Sequence, residues 1–503
     1  MIDLVIPLNT NREIPLYEQI YSYIKEDIQK GNLVCGQRLP SSRKLALSLE
    51  VSRSTVELSY EQLVSEGYLE TIPCKGYYVA EIEELYQFTN ELKQNQKTNN
   101  KKAENKQIEV EREEELYQYD FTPNGIDLEN FPYNAWRKIS KNILLDDKSE
   151  LFVLGNSQGE YEFRDTICQY LHQARGMECE PEQVVVGAGN EYLLMLLSTI
   201  IGQHNRVAFE NPTYERAYHV FKNLSHEVFS INMDRHGMNM AELEETEANI
   251  AYVMPSHQFP TGVIMPIKRR LELLKWACIE EERYIIEDDY DSEFRYKGKP
   301  IPALQGYDTQ DKVIYLGTFS KSIAPAIRMS YMVLPKKLVG VYRGKCQFLS
   351  STVSKVDQMI VNSFLKEGYY ERHLNKMRAM YKNKHDTLLS ELKPLIQQGI
   401  CKVKGENAGV HILIEFTEGY IREYVKKFTE EHIENYTIES MEDLMVESVK
   451  QHGVKVYGLS QYYSNKSKLK YATIILGYAT LSEKDIKEAT QLFLKSVDNG
   501  MIT

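Results

Sequence analysis

The chain of 503 residues is 42% hydrophobic and 26% charged, which excludes a disordered protein and predicts two or three folded domains. It has no run of 18 apolar residues, no signal-peptide layout and no C-x-x-C pair among seven cysteines. We therefore expect a cytoplasmic protein without a membrane span, a disulfide framework or a zinc site, and the net charge of −12 means that any DNA contact needs a local basic patch.

Residues 1–80 are predicted to form a small helical module that ends in a β-hairpin. Apolar residues at helical spacing predict three helices, over residues 15–31, 43–50 and 53–67. Ser41 or Ser42 can cap the second helix, and Ser52 can cap the third. A tight turn joins these two helices, and a hairpin with a basic tip follows over residues 68–79. This order is typical of a winged helix-turn-helix.

In such a module the start of the third helix enters the major groove of DNA. Donors for phosphates and base edges gather on this side, and the candidate DNA-binding residues are Ser41, Arg43, Ser52, Arg53, Ser54, Thr55, Lys75 and Gly76. Glu57, one turn into the same helix, either accepts from a cytosine or points away from the groove. The alternative is a small protein-interaction domain with ordinary helix caps.

The strings G-x-R-L-P-S-S-R-x-L-A, V-S-R-S-T-V, L-V-S-E-G-Y-L and K-G-Y-Y-V resemble the GntR-type winged helix over about residues 13–80. The resemblance implies binding to double-stranded operator DNA, usually by a dimer. It points to Arg43, Arg53 and Thr55 as the main contacts.

Residues 81–118 differ in composition from both of their neighbours. Within them, residues 90–115 are rich in Asn, Gln, Lys and Glu and have almost no large apolar side chains. Such a segment cannot bury enough surface to order itself, so it predicts a flexible linker, in which residues 107–115 could form a solvated helix.

Residues 119–503 alternate helical and strand patterns, which predicts an α/β domain. Polar residues follow several apolar strands, at the edge where open α/β sheets bind ligands. One strand leads into the turn Gly187-Ala-Gly-Asn190 at the start of an apolar helix. This turn is either an anion site at a helix N-terminus or a plain tight turn.

A second loop concentrates groups that suit an aldehyde cofactor with a phosphate. Thr318, Ser320, Lys321 and Arg328 follow the apolar strand 313–316. The lysine can form a Schiff base, while the hydroxyls and the guanidinium hold a phosphate. The alternative is a surface lysine in a polar turn.

An acidic cluster, E-D-D-Y-D-S-E, follows the strand that ends near residue 287. It has three interpretations: a solvated turn, a magnesium site, or a buried carboxylate that pairs with a protonated pyridine nitrogen. We predict the third, because the cluster precedes Lys321 by one strand-helix-strand interval.

The motifs N-P-T-Y, P-S-H-Q-F-P-T-G, E-D-D-Y-D-S-E-F-R-Y and Y-L-G-T-F-S-K-S-I-A-P-A-I-R resemble the fold type I, aspartate aminotransferase-like enzymes. These motifs are similar in sequence to those of the MocR/GabR branch, as are the later strings S-S-T-V-S-K-V-D-Q and E-G-Y-Y-E-R-H-L-N-K-M-R. That branch fuses a GntR-type winged helix to such a domain. The resemblance implies a large subdomain at about 160–345 with a mixed, mostly parallel sheet, a small α+β subdomain at about 346–503, and pyridoxal 5′-phosphate (PLP) as cofactor.

The resemblance also implies a role for individual residues. Lys321 would bind the cofactor aldehyde, Asp288 would pair with the pyridine nitrogen, and Tyr290 would hydrogen-bond the ring hydroxyl. Tyr214 would stack on the ring, and the phosphate would lie among Gly189, Asn190, Thr318, Ser320 and Arg328. Phe259 stands where the aminotransferases have an asparagine. Either His257 or Gln258 would then supply the hydrogen bond that this asparagine makes in those enzymes.

Transaminases of this fold hold the substrate carboxylate with an arginine near the C-terminus. Ile475 occupies that place here, and Arg422 lies in an amphipathic helical pattern that predicts an exposed position. Lys455, Lys468 or Lys470 could substitute as a point charge. The absence of the arginine puts amino-acid turnover in doubt but not PLP binding.

We therefore predict a homodimeric, PLP-dependent transcription regulator that senses an amino acid or amine through an aldimine at Lys321. One alternative is an active aminotransferase with an accessory DNA-binding module. Another is a regulator whose large domain binds PLP itself as the signal, in which case Lys321→Ala would leave regulation intact.

Overall fold

The computed structural model describes residues 4, 6–9, 14–73, 75–81, 117–145, 149–296, 298, 300–428 and 436–498. Two compact units, Met1–Arg112 and Glu113–Thr503, divide the chain. The predicted linker at 81–118, with its possible helix at 107–115, lies almost wholly outside the described residues. Within these residues no helix is both long and apolar enough to cross a bilayer.

The first unit contains three helices and a hairpin. Its elements are α1 (Leu16–Gln29), α2 (Ser42–Leu49), α3 (Arg53–Ser65), β1 (Leu69–Ile72) and β2 (Gly76–Val79). The serine before each of the last two helices caps it, because the Oγ of Ser41 accepts from the amide of Lys44 and the Oγ of Ser52 accepts from the amide of Thr55. The winged-helix prediction is confirmed, and Ser41 rather than Ser42 is the cap of α2.

Apolar faces of the helices form the core of this unit. Ile20, Ile24 and Ile28 of α1 are buried in one cluster with Val56 and Tyr60 of α3. The polar residues at the N-terminus of α3 lie on the other face of this helix. They therefore take no part in the apolar core that holds the helix in place.

The second unit contains an eight-stranded sheet in the order β4-β11-β10-β9-β8-β5-β6-β7. Its strands are β4 (Val184–Gly187), β5 (Arg206–Asn211), β6 (Glu227–Asp234), β7 (Gly237–Met238), β8 (Ile250–Val253), β9 (Tyr284–Asp289), β10 (Val313–Thr318) and β11 (Ser330–Val333). The neighbours from β10 to β6 are parallel, whereas β11 is antiparallel to both β10 and β4, and β7 is antiparallel to β6. This mixed, mostly parallel sheet confirms the predicted fold class.

Both faces of the sheet are covered, as the continuous apolar strands require. Val185 and Leu316 belong to the apolar cluster on one face, and Val186 and Tyr315 belong to the cluster on the other face. The helices of this part are α4 (Tyr133–Leu145), α5 (Tyr161–Arg175), α6 (Asn190–Ile201), α7 (Glu215–Asn223), α8 (Met240–Glu244), α9 (Ile267–Ile279) and α10 (Lys336–Cys346).

The C-terminal part contains a four-stranded antiparallel sheet in the order β12-β13-β16-β15. Its elements are α11 (Lys355–Lys366), α12 (Tyr369–Gln397), β12 (Cys401–Lys404), β13 (His411–Phe416), α13 (Glu418–Phe428), α14 (Ile438–Gln451), β14 (Val454–Lys455), β15 (Tyr457–Gly458), β16 (Thr473–Gly477) and α15 (Glu483–Asp498). The short strand β3 (Tyr119–Asp120) pairs with β14. This arrangement is the predicted small α+β part.

The strand directions place the predicted motifs together. Because β4, β5, β8, β9 and β10 run the same way, the loops that follow them meet at one edge of the large sheet. Those loops carry the glycine turn, Tyr214, the P-S-H-Q-F-P-T-G segment, the acidic cluster and Lys321.

Candidate cofactor pocket and DNA-binding surface

Lys321 lies in a cavity at the carboxyl edge of the large sheet. Its Nζ donates to the carbonyl oxygen of Asn124 at 2.7 Å. Burial lowers the pKa of this amine to about 8, with the nearby Asp291 charge acting in the opposite direction. About a tenth of the amine is therefore uncharged at pH 7, far more than for an unperturbed lysine, and the uncharged form is the one that attacks an aldehyde.

Asp288 lines the cavity at the end of β9. Its carboxyl accepts from Asn190 Nδ2 at 3.2 Å and from the hydroxyl of Tyr252. Burial raises the pKa of Asp288 to about 7, although the bond from Tyr252 acts to lower it. A cationic group placed against this carboxyl would relieve the desolvation that raises its pKa.

An anion-binding corner lies between the glycine turn and the lysine loop. Gly189 adopts φ +96°, and a Cβ there would lie 2.3 Å from Nη2 of Arg328, so the guanidinium approaches the N-terminus of α6 closely. Arg328 Nη2 contacts Glu191 at 2.8 Å. Thr318 accepts from the amide of Ser320 at 3.1 Å, and the Oγ of Ser320 is buried without a hydrogen-bond partner in the described part of the chain. A helix N-terminus, a guanidinium and an unused hydroxyl suit a phosphate.

Aromatic side chains close the cavity. Tyr214 and Tyr290 both line it, and the ring of Phe259 lies edge-on to each of them, with centroids 6.1 and 6.0 Å away. Burial raises the pKa of Tyr214 to about 12, which keeps its hydroxyl protonated.

All of the predicted cofactor residues except His257 line this cavity: Gly189, Asn190, Tyr214, Asp288, Tyr290, Thr318, Ser320, Lys321 and Arg328. His257 lies behind Tyr290, with its Nδ1 3.0 Å from the tyrosine hydroxyl and 2.9 Å from Asp291. Gln258 is turned away, because its side chain bonds the carbonyl of Pro212 and the amide of Thr261. Direct contact of either side chain with a cofactor in this cavity is therefore not supported.

The acidic cluster is buried rather than a solvated turn. The Asp289 carboxylate pairs with Arg175 at 2.6 Å, and Glu287 accepts from the amides of Leu304 and Gln305. Each carboxylate thus has its own partners. Across the described ranges, His, Cys, Asp and Glu form no group of three that could hold a metal ion.

Six residues that line the cavity were missed as site residues by the sequence analysis, namely Asn124, Glu191, Arg216, Met254, Pro325 and Ser330. Tyr252, which bonds Asp288 from outside the lining, was also missed. Arg216 and Glu191 form an ion pair at 3.2 Å, so the cavity contains a second guanidinium besides Arg328. Their positions beside Tyr214 and Asn190 in the sequence were an available signal. Tyr252 lay hidden in an apolar strand, and Asn124 comes from a distant loop.

The residues considered in place of a C-terminal arginine lie outside the lining of the cavity. Ile475 is fully buried in β16, against Leu413 and Leu459. Arg422 is about half exposed and pairs with Glu418 at 2.7 Å. Neither Arg422 nor any of Lys455, Lys468 and Lys470 is among the residues that line the cavity.

The predicted DNA-binding residues are on the surface of the first unit. Ser41, Arg43, Ser52, Arg53, Ser54, Lys75 and Gly76 are exposed, and Thr55 is half-buried. The Oγ of Ser52 lies 2.8 Å from that of Ser54 and 2.7 Å from Oγ1 of Thr55, which orders the start of α3.

Contacts within the first unit hold the side chain of Glu57. Its carboxylate accepts from Nε of Arg53 at 2.8 Å and from Ser42 at 3.2 Å. It therefore orients Arg53. Arg38, which the sequence analysis quoted only within a motif, is exposed and would lie 3.8 Å from a Cβ at Gly76, beside the tip of the hairpin.

Each of the two units matches a known protein family. Residues 16–79 match the family "Bacterial regulatory proteins, gntR family", and residues 120–488 match "Aminotransferase class I and II". The kynurenine aminotransferase of Pyrococcus horikoshii superposes with a TM-score of 0.64 at 23% identity, covering 76% of this chain and 91% of that one. This likeness shows the fold of the second unit.

Fold and site thus define a GntR-type DNA-binding domain fused to an aminotransferase-like domain. The chain is 37% identical to the "Uncharacterized HTH-type transcriptional regulator YdeL" of Bacillus subtilis, over 97% of both chains. It is 27% identical to the "Probable rhizopine catabolism regulatory protein MocR" of Rhizobium meliloti, over 82% of this chain and 84% of that one. The chain belongs to the MocR-type transcription regulators of the GntR family. The aminotransferase fold implies PLP as the cofactor.

Proposed function

We propose that this regulator binds PLP at Lys321, senses an amino acid or amine there, and changes its binding to double-stranded operator DNA in response. The observation that carries the proposal is a half-buried amine with a pKa of about 8, in a cavity that a buried carboxyl also lines, in a chain that also has a winged helix. Such a regulator acts on the chromosome, so we place it in the cytoplasm.

The residues present fit PLP. The cofactor supplies an aldehyde that exchanges between amines and a ring that withdraws electrons. Lys321 would bind the aldehyde carbon and Asp288 would hold a proton on the pyridine nitrogen. Arg328, Ser320 and the amides at the start of α6 would bind the phosphate, where the unpartnered Oγ of Ser320 is available in the described structure.

Arg216 points to the chemistry of the effector. Its guanidinium lines the cavity, and it is held by Glu191, which also contacts Arg328. With Arg328 assigned to the phosphate, Arg216 is the remaining cationic side chain that could bind a carboxylate beside Lys321. We therefore favour an amino acid over a simple amine, although this site lacks the C-terminal arginine of transaminases.

In the first unit, Arg43, Arg53 and Thr55 would make the main contacts with the operator, and Lys75 and Gly76 would contact its backbone from the hairpin. Phosphate contacts of this kind would make the affinity fall as salt is raised. The protein would act as a homodimer, since operators read by helix-turn-helix proteins usually have two half-sites.

The first test is borohydride reduction of the PLP-loaded protein followed by peptide mass analysis. We expect the reduced cofactor on Lys321 and none bound covalently in Lys321→Ala, whereas Lys355→Ala, a lysine outside the cavity, should react like the wild type. Covalent label elsewhere, or none, would refute the assignment of the site.

A second experiment separates the sensor from the enzyme. Absorbance of the loaded protein is followed while amino acids and amines are added one by one, and released keto acid is measured. A stable spectral change with one compound, no keto acid, and a changed affinity for operator DNA supports the sensor. The alternative, an active aminotransferase, is favoured by the near-complete cofactor site, and steady keto-acid release would establish it.

A further inference from the structure

His257 lies between a buried carboxylate and a tyrosine of the cavity wall. Its Nδ1 is 2.9 and 3.1 Å from the two oxygens of Asp291 and 3.0 Å from the hydroxyl of Tyr290. His257 is 3% exposed and Asp291 is 2% exposed, whereas Tyr290 lines the cavity. The pair does not line the cavity itself, and its hydrogen bond to a lining residue is the one with Tyr290.

The carboxylate determines which nitrogen of His257 carries the proton. A bare Nδ1 would place its lone pair against two carboxylate oxygens, whereas Nδ1–H donates to them. The hydroxyl of Tyr290 cannot donate to a nitrogen that already carries a proton. Its oxygen instead accepts from Nδ1–H. Tyr290 also forms a hydrogen bond with Asp291, so its hydroxyl proton can go either to that carboxylate or, once Nδ1–H occupies the carboxylate oxygens, to an acceptor in the cavity.

Two glycines lie close to the imidazole and leave space for it. A Cβ at Gly409 would lie 2.1 Å from its Cε1, and a Cβ at Gly262 would lie 3.4 Å from its Nε2. The Nε2 is buried without a hydrogen-bond partner in the described residues. The ring of His411 lies 5.5 Å away, and its own Nε2 bonds the carbonyl of Pro260.

We infer that His257, fixed by Asp291, is a positioning residue that directs the Tyr290 hydroxyl toward the ring oxygen of the cofactor. This inference rests on the proposed function. It accounts for Phe259, which brings no hydrogen-bond donor to the cavity wall, because a single well-directed donor would bind the ring oxygen from the side of Tyr290. His257 thus acts through Tyr290 rather than on the cofactor itself.

Several charged or titratable groups surround Tyr290, and those that change charge in the measured pH range can influence a titration of the site. They are Asp288, Asp289 and Asp291 on or after its own strand, His257 after β8, His411 on β13, and Lys321 after β10. Burial lowers the pKa of His411 to about 4, so this histidine is neutral above that pH and serves as an inert neighbour.

The test is the pH dependence of the absorbance of the bound cofactor, which needs no turnover. A donor to the ring oxygen stabilises its negative charge and weakens its hold on the proton of the neighbouring nitrogen that links Lys321. We expect Tyr290→Phe and His257→Leu to raise the midpoint of this titration by roughly one pH unit. His257→Asn, whose amide can replace Nδ1–H, should stay close to the wild type.

His411→Gln is the matched control, since it alters a buried histidine that does not touch Tyr290, and it should titrate like the wild type. If His257→Leu does not fold, His257→Gln replaces it, because its amide reaches toward Nε2 and should also raise the midpoint. Unchanged midpoints in all His257 variants beside a shifted Tyr290→Phe would overturn the inference. A lowered midpoint in Tyr290→Phe would also overturn it, by showing that the hydroxyl donates to Asp291. Failure of the wild type to trap PLP on Lys321 would refute the proposed function instead.

Discussion

At the scale of single residues, the pocket combines a lysine that loses its proton easily with a carboxyl that keeps its proton. Both shifts have the same cause, since burial disfavours the charged form of each group. In the isolated protein these shifts cost stability. The proposed cofactor, with its aldehyde and basic ring nitrogen, would offset both costs.

Asp288→Asn should reveal this cost as a change in pH dependence. The folded-state pKa of Asp288 is raised from 3.8 to about 7, so the folded protein retains a proton that the unfolded chain releases, and its stability falls as pH rises through this window. Without cofactor, the free energy of unfolding of Asp288→Asn should rise relative to that of the wild type between pH 4 and pH 7. We expect this rise to be on the order of 2 to 4 kcal/mol. Urea unfolding at several pH values measures this difference.

Glu210 and Glu293, whose pKa values burial also raises to about 7, are present in both proteins and cancel in the comparison. Parallel pH curves for the two proteins would contradict the prediction. Reloading with PLP should stabilise the wild type more than the variant, because only the wild type has a carboxylate for the ring nitrogen.

At the scale of elements, the N-terminus of α6 determines the geometry of the anion corner. The turn before it must pass close to Arg328, and this approach is possible only because residue 189 has no side chain. The other end of the same helix offers an internal comparison. Gly202 has nearly the same backbone angles as Gly189, φ +88° against φ +96°, but nothing lies within 4 Å of a Cβ there.

Gly189→Ala should therefore weaken PLP binding more than Gly202→Ala. Each substitution strains the backbone by about 1–3 kcal/mol, since this region of φ and ψ is essentially restricted to glycine. Only Gly189→Ala also displaces Arg328, and we expect its dissociation constant for PLP to rise about ten- to a hundredfold. Absorbance titration gives the affinities, and thermal unfolding should show similar losses of stability. Equal affinities in the two variants would contradict this role of Arg328.

At the scale of the whole molecule, regulation requires two units with separate cores to influence one another. The second unit exposes three consecutive apolar side chains, Phe152, Val153 and Leu154, which are 76%, 57% and 88% exposed. Apolar runs of this kind are typical of surfaces that another protein covers. In the proposed homodimer, the second subunit is the natural candidate to cover them.

Leu154→Asp should shift the proposed dimer toward monomer, because a buried unpaired carboxylate at an interface costs several kcal/mol. Sedimentation at micromolar concentration measures the effect, with the wild type expected as a dimer. Leu271→Asp, an exposed leucine on α9 that stands apart in the sequence from this run, is the control and should remain dimeric. A monomeric wild type would refute the homodimer, and a dimeric Leu154→Asp would place its interface elsewhere.

Much of this protein could be predicted from the sequence, because the signals were local. Ser41 and Ser52 mark helix starts by cap chemistry, apolar runs mark the strands, and the spacing of the lysine loop and acidic cluster identified the fold. Asp288, Tyr290 and Lys321 lie at or just after the ends of parallel strands. The order of these strands determines which ends are neighbours, and the three residues therefore line one cavity.

Only the tertiary structure decided the contacts between distant segments. That His257 lies behind Tyr290, that Tyr252 bonds Asp288, and that Asn124 reaches Lys321 depend on which strands are neighbours and on their register. A one-residue change of register in β8 would move Tyr252 to the opposite face of the sheet. The sequence by itself therefore determined the two families that are joined in the chain and the cofactor class, and it predicted the main site residues, whereas packing decided the second layer of contacts around them.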